Sequence, residues 1–81
     1  MIIKYFAWLK NITEIEEELI SDTNIKDINS LKIFLKKKYP KLEKHFEDNV
    51  IQFAINFSYT YENDKINQDD EIALFPPVSG G

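Results

Sequence analysis

The residues with the most distinctive chemistry are the two glycines that end the chain, Gly80 and Gly81. They are the only glycines among 81 residues, whereas an average usage of roughly 7% predicts about six. Glycines that serve turns would be scattered between the strands, so this pair indicates a role for the terminus itself. Without a Cβ atom, a diglycine can thread a narrow channel and present its terminal carboxyl group to another molecule.

The carboxylate of Gly81 needs activation before it can react with a nucleophile. An α-carboxyl group has a pKa of about 3.3 to 3.7, so it is ionised at neutral pH and is a poor electrophile. The simplest activated form is an acyl-adenylate. The sequence contains neither a G-x-x-x-x-G-K-[ST] loop nor a G-x-G-x-x-G motif, which are the common phosphate-binding signatures. We therefore expect the ATP site to belong to a partner protein.

The last predicted strand leads directly into two prolines. Residues 71–75 alternate at the period of a strand, and Pro76 and Pro77 end it because neither can donate a ladder hydrogen bond. The prolines also stiffen the exit, so less conformational entropy is lost when a partner grips the tail. We predict a folded domain over residues 1–75 and a flexible, extended tail over residues 76–81.

The end of the chain resembles the C-terminal signature of a known family. Phe-Pro-Pro-Val-Ser-Gly-Gly at residues 75–81, preceded by Asp-Asp-Glu-Ile-Ala at residues 69–73, is similar to the MoaD family, the small sulfur-carrier subunit of molybdopterin synthase. Looser similarity occurs at residues 5–7, 9–10, 38–40 and 54–56. The resemblance implies an α+β fold, the ubiquitin-like β-grasp, in which a mixed sheet of four to five strands packs on one main helix.

Two strands are predicted before that helix. Residues 1–9 alternate and are rich in strand formers, with the odd-numbered side chains on one face. A turn over residues 9–12 leads to a weaker segment, residues 14–20. Its composition suits either a helix or a strand whose acids face solvent, and the resemblance favours the strand.

The main helix is predicted to begin with Asn24 as the N-cap and Asp27 as its capping-box partner. Lysines at residues 36–38 complement the helix C-terminus, and Pro40 ends the helix. These lysines form either a solvated helix end or a partner-binding patch, and the solvated end is favoured. Apolar side chains three and four residues apart predict one buried stripe, namely Ile25, Ile28, Leu31, Leu35 and Tyr39.

Two more strands are predicted before the last one. Leu42 and Phe46 lie four residues apart and are expected to reach the core. Residues 50–57 form the strongest interior strand by propensity, with their odd-numbered side chains toward the helix. Residues 58–61 predict a short further strand. In the family fold the first and last strands run parallel in the centre of the sheet, so the tail leaves from the best-anchored strand.

No residue of the chain predicts a metal or acid–base site. His45 is the only histidine and there is no cysteine, so the usual ligands of a structural metal are absent. Asp64, Asp69, Asp70 and Glu71 lie in turns before a strand and do not match the spacing of an EF-hand. We expect no metal and no cofactor bound by this chain.

One face of the sheet remains open when the helix covers the other. Phe6, Tyr59 and Phe75 are predicted to share this open face, at positions that form an apolar docking patch in the MoaD family. Aromatic side chains clustered outside a core are frequent interface anchors. The alternative is that neighbouring loops cover Phe6 and Tyr59. Trp8 is a further candidate near this patch.

The composition excludes several classes of partner. The net charge of −4 argues against nucleic acid and anionic membranes. No apolar run approaches the length of a membrane span, and the N-terminus lacks the regions of a signal peptide, so the cytoplasm is expected. Because the chain has no cysteine, sulfur can be carried only as a thiocarboxylate at the terminal carboxyl group.

The resemblance implies a sulfur-donating subunit that is not an enzyme on its own. An E1-like adenylyltransferase would use ATP with Mg to adenylate Gly81, and a sulfur donor protein would supply the thiocarboxylate. The large subunit of molybdopterin synthase, in a heterotetramer of two small and two large subunits, would then receive the tail. There the sulfur would convert the cyclic pyranopterin precursor to the dithiolene. Partner contacts are expected along the tail at Pro76, Pro77, Val78, Ser79 and Gly80.

Three alternatives stay open at this stage. A sulfur carrier of the thiazole pathway would share the fold and the diglycine. A protein modifier of the ubiquitin type would attach Gly81 to lysines of other proteins. A plain β-grasp binding module would use the sheet face and leave the terminus unused.

Overall fold

A five-stranded mixed sheet and one main helix make up the computed structural model, which describes residues 1–77. The strands lie in the order β2-β1-β5-β3-β4, and the predicted α+β architecture is confirmed. In chain order the elements are strand β1 Ile2–Tyr5, helix α1 Leu9–Thr13, strand β2 Glu17–Leu19, helix α2 Ile28–Lys38, a 3₁₀ turn Pro40–Leu42, helix α3 Glu43–Glu47, and strands β3 Gln52–Ile55, β4 Ser58–Thr60 and β5 Glu71–Phe75.

The first and last strands pair in the centre of the sheet, as predicted. β1 runs parallel to β5, with Ile3 opposite Ile72 and Tyr5 opposite Leu74. On its other side β5 runs antiparallel to β3, and Gln52 lies opposite Phe75. Both edges of β5 are therefore hydrogen-bonded, and the strand that precedes the tail is held along its whole length.

The core lies between the sheet and α2. On the sheet side, Ile3, Tyr5, Ile72 and Leu74 are fully or almost fully buried. Facing them is the predicted apolar stripe of α2, of which Ile25, Ile28, Leu31 and Leu35 are buried and Tyr39 is partly buried. Leu42 and Phe46 also reach the core, as predicted.

The first strand is shorter than predicted, and the predicted turn after it is a helix. β1 ends at Tyr5 because Ala7 adopts a positive φ of 55°, which no strand residue has. Helix α1 then occupies the residues assigned to a turn. Leu9 is fully buried at its start and Thr13 is buried at its end, so both ends of this short helix pack against the core.

Helix α2 begins three residues later than predicted, and Asn24 is not its N-cap. The N-cap is Asp27, whose carboxylate accepts a hydrogen bond of 2.8 Å from the Ser30 amide. In return the Asp27 amide donates to the Ser30 hydroxyl at 3.0 Å. This reciprocal capping box satisfies two backbone donors at once. The hydrogen bonds from Ser30 also hold the pKa of Asp27 below its ordinary value.

Strand β3 ends before Phe57, and the prediction that Phe57 faces the helix is wrong. Asn56 and Phe57 have φ values of 49° and 70°, and they are the two residues between β3 and β4. Two positive φ values define the mirror-image hairpin turn that matches the twist of paired strands. The turn directs the Phe57 side chain into solvent, where it is 88% exposed.

Strand β2 is confirmed, but its acids do not all face solvent. Glu18 lies opposite Ile3, so it shares the helix-covered face. Its carboxylate accepts hydrogen bonds of 2.6 Å from both Tyr5 and Tyr39 hydroxyls and pairs with Lys38. Burial by itself raises the pKa of Glu18. The hydrogen bonds from Lys38 and the two tyrosines lower it by more, so the pKa lies below its ordinary value.

In the part of the chain that the structure describes, none of the helices has both the length and the apolar composition needed to cross a membrane. The longest helix, α2, has 11 residues and ends in three lysines.

Candidate docking face and tail exit

The candidate site begins at the end of the sheet where β5 leads into the tail. The Phe6 amide donates to the Leu74 carbonyl at 3.0 Å, which continues the β1–β5 ladder to the last residues of the strand. Gln52 opens β3 on the other side of Phe75. We call this end of the sheet the tail exit. It is formed by the end of β1, the end of β5 and the start of β3.

The structure describes only the first two residues of the predicted tail, which are prolines. Pro76 and Pro77 belong to no helix or strand, in agreement with the expectation that they end β5. Val78, Ser79, Gly80 and Gly81 lie outside the described residues. The flexible tail, the role of Gly81 and the partner contacts of the other three therefore remain predictions.

The opposite end of β5 is held by the side chains of Asn56 and Asp70, the second of which is one of the four acidic residues considered above. The Asn56 amide group donates to Asp70 at 2.8 Å, and its carbonyl accepts from the Glu71 amide at 2.9 Å. The second oxygen of Asp70 accepts from the Asn67 amide at 2.7 Å. Within residues 1–77, no group of three or more His, Cys, Asp and Glu residues is placed to hold a metal ion. Asp70 therefore serves to hold the start of the strand.

The middle of the open face of the sheet carries two small side chains. Lys4, Ala73, Ala54 and Tyr59 follow one another across four strands as Cα partners. Because side chains alternate along a strand, this row lies on the face opposite Leu74 and Ile72. Two adjacent alanines leave a shallow floor, and the larger side chains around it stand above that floor.

Aromatic side chains stand on this face near the tail exit. Phe6 is 47% exposed and Tyr59 is 59% exposed, which removes the alternative that loops cover them. The rings of Tyr59 and Phe75 lie 5.5 Å apart between centroids, tilted by 58°. The structure thus places all three predicted residues on the open face, with Tyr59 and Phe75 in contact.

Tyr61 joins this group although it is not among the predicted residues. Its ring lies 6.4 Å from that of Tyr59, and its side chain is 83% exposed. The signal was present in the sequence, because a residue two positions after Tyr59 falls on the same face of an extended chain. We call Phe6, Tyr59, Tyr61 and Phe75 the aromatic patch.

Lys4 and Glu71 form an ion pair on the open face. The Lys4 ammonium lies 3.3 Å from the Glu71 carboxylate, with both side chains partly exposed. Exposed pairs of this kind contribute little to stability, and salt screens them. Lys4 and Glu71 border the alanine floor, so a polar rim and an apolar aromatic patch adjoin, as in many protein–protein interfaces.

Comparison with known proteins decides the family. The model of the ThiS family matches residues 3–81. The chain belongs to the ThiS family. A curated relative of this ThiS family member is the molybdopterin synthase sulfur carrier subunit of Dictyostelium discoideum. The two are 32% identical over 83 residues, which cover 98% of this chain and 93% of the relative. The resemblance predicted from the C-terminal signature is thereby confirmed.

Solved structures support the same fold. A Pyrococcus furiosus protein assigned as molybdopterin converting factor subunit 1 superposes with a TM-score of 0.82 at 25% identity, covering 95% of each chain. The small archaeal modifier SAMP1 of Haloferax volcanii gives 0.79 at 26% identity over 99% of this chain and 97% of that chain. The complex of subunits 1 and 2 of the molybdopterin-converting factor of Helicobacter pylori contains a chain with a TM-score of 0.67 at 25% identity, covering 99% of this chain and 96% of that chain. The predicted β-grasp fold is confirmed.

Proposed function

We propose that this ThiS family member is the sulfur carrier subunit of a molybdopterin synthase and acts in molybdenum cofactor biosynthesis. The observation that carries the proposal is the 32% identity, over 98% of the chain, to a protein of that name. The fold supports it, because strand β5 is paired on both sides and ends at Phe75. Two prolines and four further residues then lead to the carboxyl group of Gly81.

The chemistry takes place at the carboxyl group of Gly81. A carboxylate oxygen attacks the α-phosphate of ATP in the active site of an E1-like partner, and pyrophosphate leaves with the Mg ion. The outer sulfur of a persulfide on a donor protein then displaces AMP and forms an acyl disulfide with Gly81. A thiol reductant cleaves the S–S bond of this acyl disulfide, which releases the thiocarboxylate and leaves the donor in a mixed disulfide with the reductant. The thiocarboxylate sulfur attacks a carbon of the cyclic pyranopterin precursor in the large subunit and displaces an oxygen from that carbon, which forms a thioester between Gly81 and the precursor. Hydrolysis of the resulting acyl intermediate restores the carboxylate, and two such transfers complete the dithiolene.

In this scheme the chain itself holds the start of the tail in position and provides a surface that partners recognise. The two ladders of β5 and the hydrogen bonds of Asp70 hold the strand, so the tail starts from a fixed position. The aromatic patch provides exposed apolar area beside the tail exit, where a partner can bury it. No cofactor or metal is required from this chain, because the adenylating and sulfur-donating groups belong to its partners.

The large subunit of molybdopterin synthase is the proposed partner in the transfer step. The Helicobacter pylori structure joins a subunit of this fold to a second subunit in one complex. A heterotetramer of two small and two large subunits agrees with that pairing. The E1-like enzyme and the sulfur donor are proposed from the chemistry, since a carboxylate must be activated before sulfur can replace its oxygen.

The test is the intact mass of the chain after incubation with an E1-like adenylyltransferase, ATP, Mg and a sulfur donor. We expect a gain equal to the replacement of one oxygen by sulfur, located at Gly81 by fragmentation. A chain that lacks Gly81 is the matched control. It should gain no sulfur and form no molybdopterin with the large subunit, while its unfolding temperature stays unchanged. Activity of the shortened chain would contradict the proposal.

A protein modifier is the second candidate, because SAMP1 of Haloferax volcanii shares the fold at 26% identity. A modifier would form an isopeptide bond between Gly81 and lysines of other proteins. Immunoblots of lysate from the protein's own cells would then show adducts of higher mass that depend on Gly81. Sulfur gain without such adducts favours the carrier, and assay of molybdopterin against thiazole distinguishes the two carrier pathways. A terminus that accepts no modification would favour the plain binding module.

A further inference from the structure

The only tryptophan of the chain lies at the tail exit. β1 and β5 are parallel, so the residues after β1 leave the sheet at the same end as Pro76. Phe6 is still hydrogen-bonded to Leu74, and Trp8 follows it by two residues. The indole of Trp8 is 36% exposed.

Trp8 lies on the side of the sheet opposite the aromatic patch. Its ring lies 4.8 Å from that of His45 between centroids, tilted by 54°. His45 belongs to α3, whose Phe46 stacks at 5.9 Å on Phe53 in the core, so α3 packs on the helix-covered face. The Trp8–His45 pair therefore lies beyond the end of the sheet on that side.

The same pair joins the two segments that flank the start of the tail. Trp8 follows β1, and the His45 carbonyl accepts a hydrogen bond of 3.0 Å from the Val50 amide. The chain then enters β3 at Gln52, the residue opposite Phe75. The end of β1 and the entry to β3 are thus tied together by an aromatic contact, and β5 ends between them.

The backbone before Trp8 is strained. Ala7 has a φ of 55°, a left-handed conformation that costs a residue with a Cβ atom roughly 1–2 kcal/mol. This residue redirects the chain between Phe6, on the open face, and Trp8, on the other side. The buried Leu9 already fills the core at the start of α1, so the exposed part of the indole has no packing role there. Strain of this kind gathers at functional sites.

The length of the tail limits where a partner can bind. Four residues follow Pro77, and they span at most about 14 Å when fully extended. A channel that receives Gly81 must therefore open close to the tail exit. The rim of such a channel meets the end of the sheet, where side chains of both faces are within reach.

We propose that Trp8, positioned by His45, is a docking anchor for the large subunit of molybdopterin synthase, which thereby grips the tail exit from both sides of the sheet. The proposal rests on the proposed function and extends its interface beyond the aromatic patch. Tryptophan is enriched among the residues that carry most of the binding energy of protein interfaces, and this surface continues from Phe6 through Ala7.

The test uses the single tryptophan as a label. The chain is produced with 5-fluorotryptophan, which gives one ¹⁹F resonance, and is titrated with unlabelled large subunit. We expect the Trp8 resonance to shift or broaden in step with complex formation. We also expect Trp8→Ala to raise the Kd, measured by calorimetry, about tenfold or more. Ile33→Ala is the control, because Ile33 is exposed on the outer side of α2 and should leave the Kd unchanged.

Two readouts separate the possible failures. If the complex forms but the ¹⁹F resonance stays unchanged, Trp8 is not at the interface, and the proposed function still stands on the mass test at Gly81. If the resonance shifts but Trp8→Ala leaves the Kd unchanged while remaining folded, Trp8 is no anchor. If the unaltered chain forms no complex with the large subunit, both this proposal and the proposed partner are overturned.

Discussion

The two faces of the same sheet differ in what their side chains do. The face covered by α2 carries buried apolar side chains and Tyr5, which binds Glu18 together with Tyr39 at the end of α2. The other face has small alanines in its middle and exposed aromatic rings near the tail exit. Leu74 is fully buried, whereas its neighbour Phe75 is partly exposed on the opposite face. Alternation along a single strand therefore separates buried from exposed side chains, and we propose that it also separates stability from recognition.

The largest expected effect comes from exchanging these two neighbours for alanine. Leu74→Ala leaves a cavity in the core and should lower the free energy of unfolding by about 2–5 kcal/mol. Phe75→Ala should lower it by no more than about 1 kcal/mol, because the side chain is partly exposed. Phe75→Ala should instead raise the Kd for the large subunit about tenfold or more, as expected for an interface anchor.

Urea unfolding and calorimetry measure the two quantities separately. Ala73→Ser is the control, since Ala73 precedes the two positions on the same open face as Phe75 and the substitution adds only one small hydroxyl group. It should change both the unfolding free energy and the Kd little. Equal losses of stability in Leu74→Ala and Phe75→Ala would contradict the separation of the two faces.

A smaller effect is expected from the Glu18 cluster, which lies at the edge of the covered face. Glu18→Gln removes the charge that accepts from Tyr5, Tyr39 and Lys38. It should cost about 1–2 kcal/mol of unfolding free energy, in the range for hydrogen bonds to a charged group. Glu17→Gln is the control, because Glu17 lies opposite Lys4 on the open face and is exposed.

The same cluster predicts how stability depends on pH. The pKa of Glu18 is lowered by folding, so its contribution is present above the ordinary pKa of a glutamate, about 4.3. That contribution is lost as the pH falls through the lower folded-state pKa. Burial and the bond to Glu18 raise the pKa of Tyr39 to about 12. Its contribution is full below pH about 10 and disappears as the pH rises to about 12.

Unfolding temperatures measured across both ranges check these signs. Glu18→Gln should lack the loss of stability that protonation of Glu18 causes at acid pH. The dependence of the unfolding temperature on pH in Glu17→Gln should follow that of the unaltered chain. An unchanged acid profile in Glu18→Gln would show that the buried carboxylate contributes no net stability.

The smallest expected effect concerns the hairpin at the end of the sheet opposite the tail exit. Phe57 has a positive φ of 70° and an exposed side chain, and Asn56 next to it binds Glu71 at the start of β5. Phe57→Gly should raise the free energy of unfolding by about 0.5–1 kcal/mol, because glycine accepts this conformation without a Cβ clash. The Kd for the large subunit should stay the same, because the turn lies away from the tail exit.

Ser58→Gly provides the matched control for this turn. Ser58 is the first residue of β4, where glycine should destabilise by about 0.5–1 kcal/mol. Thermal unfolding of the two variants should therefore shift in opposite directions. A weaker complex with Phe57→Gly would show instead that the interface extends to this end of the sheet.

Local patterns predicted the elements whose signals lie within a few neighbouring residues. The alternation of residues 71–75, the two prolines and the stripe of α2 all correspond to the structure. The aromatic residues of the open face followed from the same alternation once a helix was assigned to the other face. Tyr61 obeys that rule too, because the predicted short strand at residues 58–61 already contains it, although it is not among the predicted patch residues.

The wrong predictions involve choices that residue type and composition leave open. Asn24 and Asp27 are both good N-caps by residue type, and the Ser30 hydroxyl determines which one starts α2. Glu18 belongs to an acidic run that suggests solvent, but its register opposite Ile3 turns it toward two tyrosines. A one-residue change of register would reverse every face of the strand, and local composition does not contain that information.

The amino-acid sequence by itself determined the diglycine end, its rigid proline exit, the alternation that splits β5 into two faces and the absence of sulfur chemistry from side chains. These depend only on residue type and short spacing. Tertiary structure alone decided the burial of Glu18, the exposed turn at Phe57 and the meeting of Trp8 with His45. Each of these depends on strand register and on packing between segments far apart in the chain, because a side chain's surroundings are set by the whole fold.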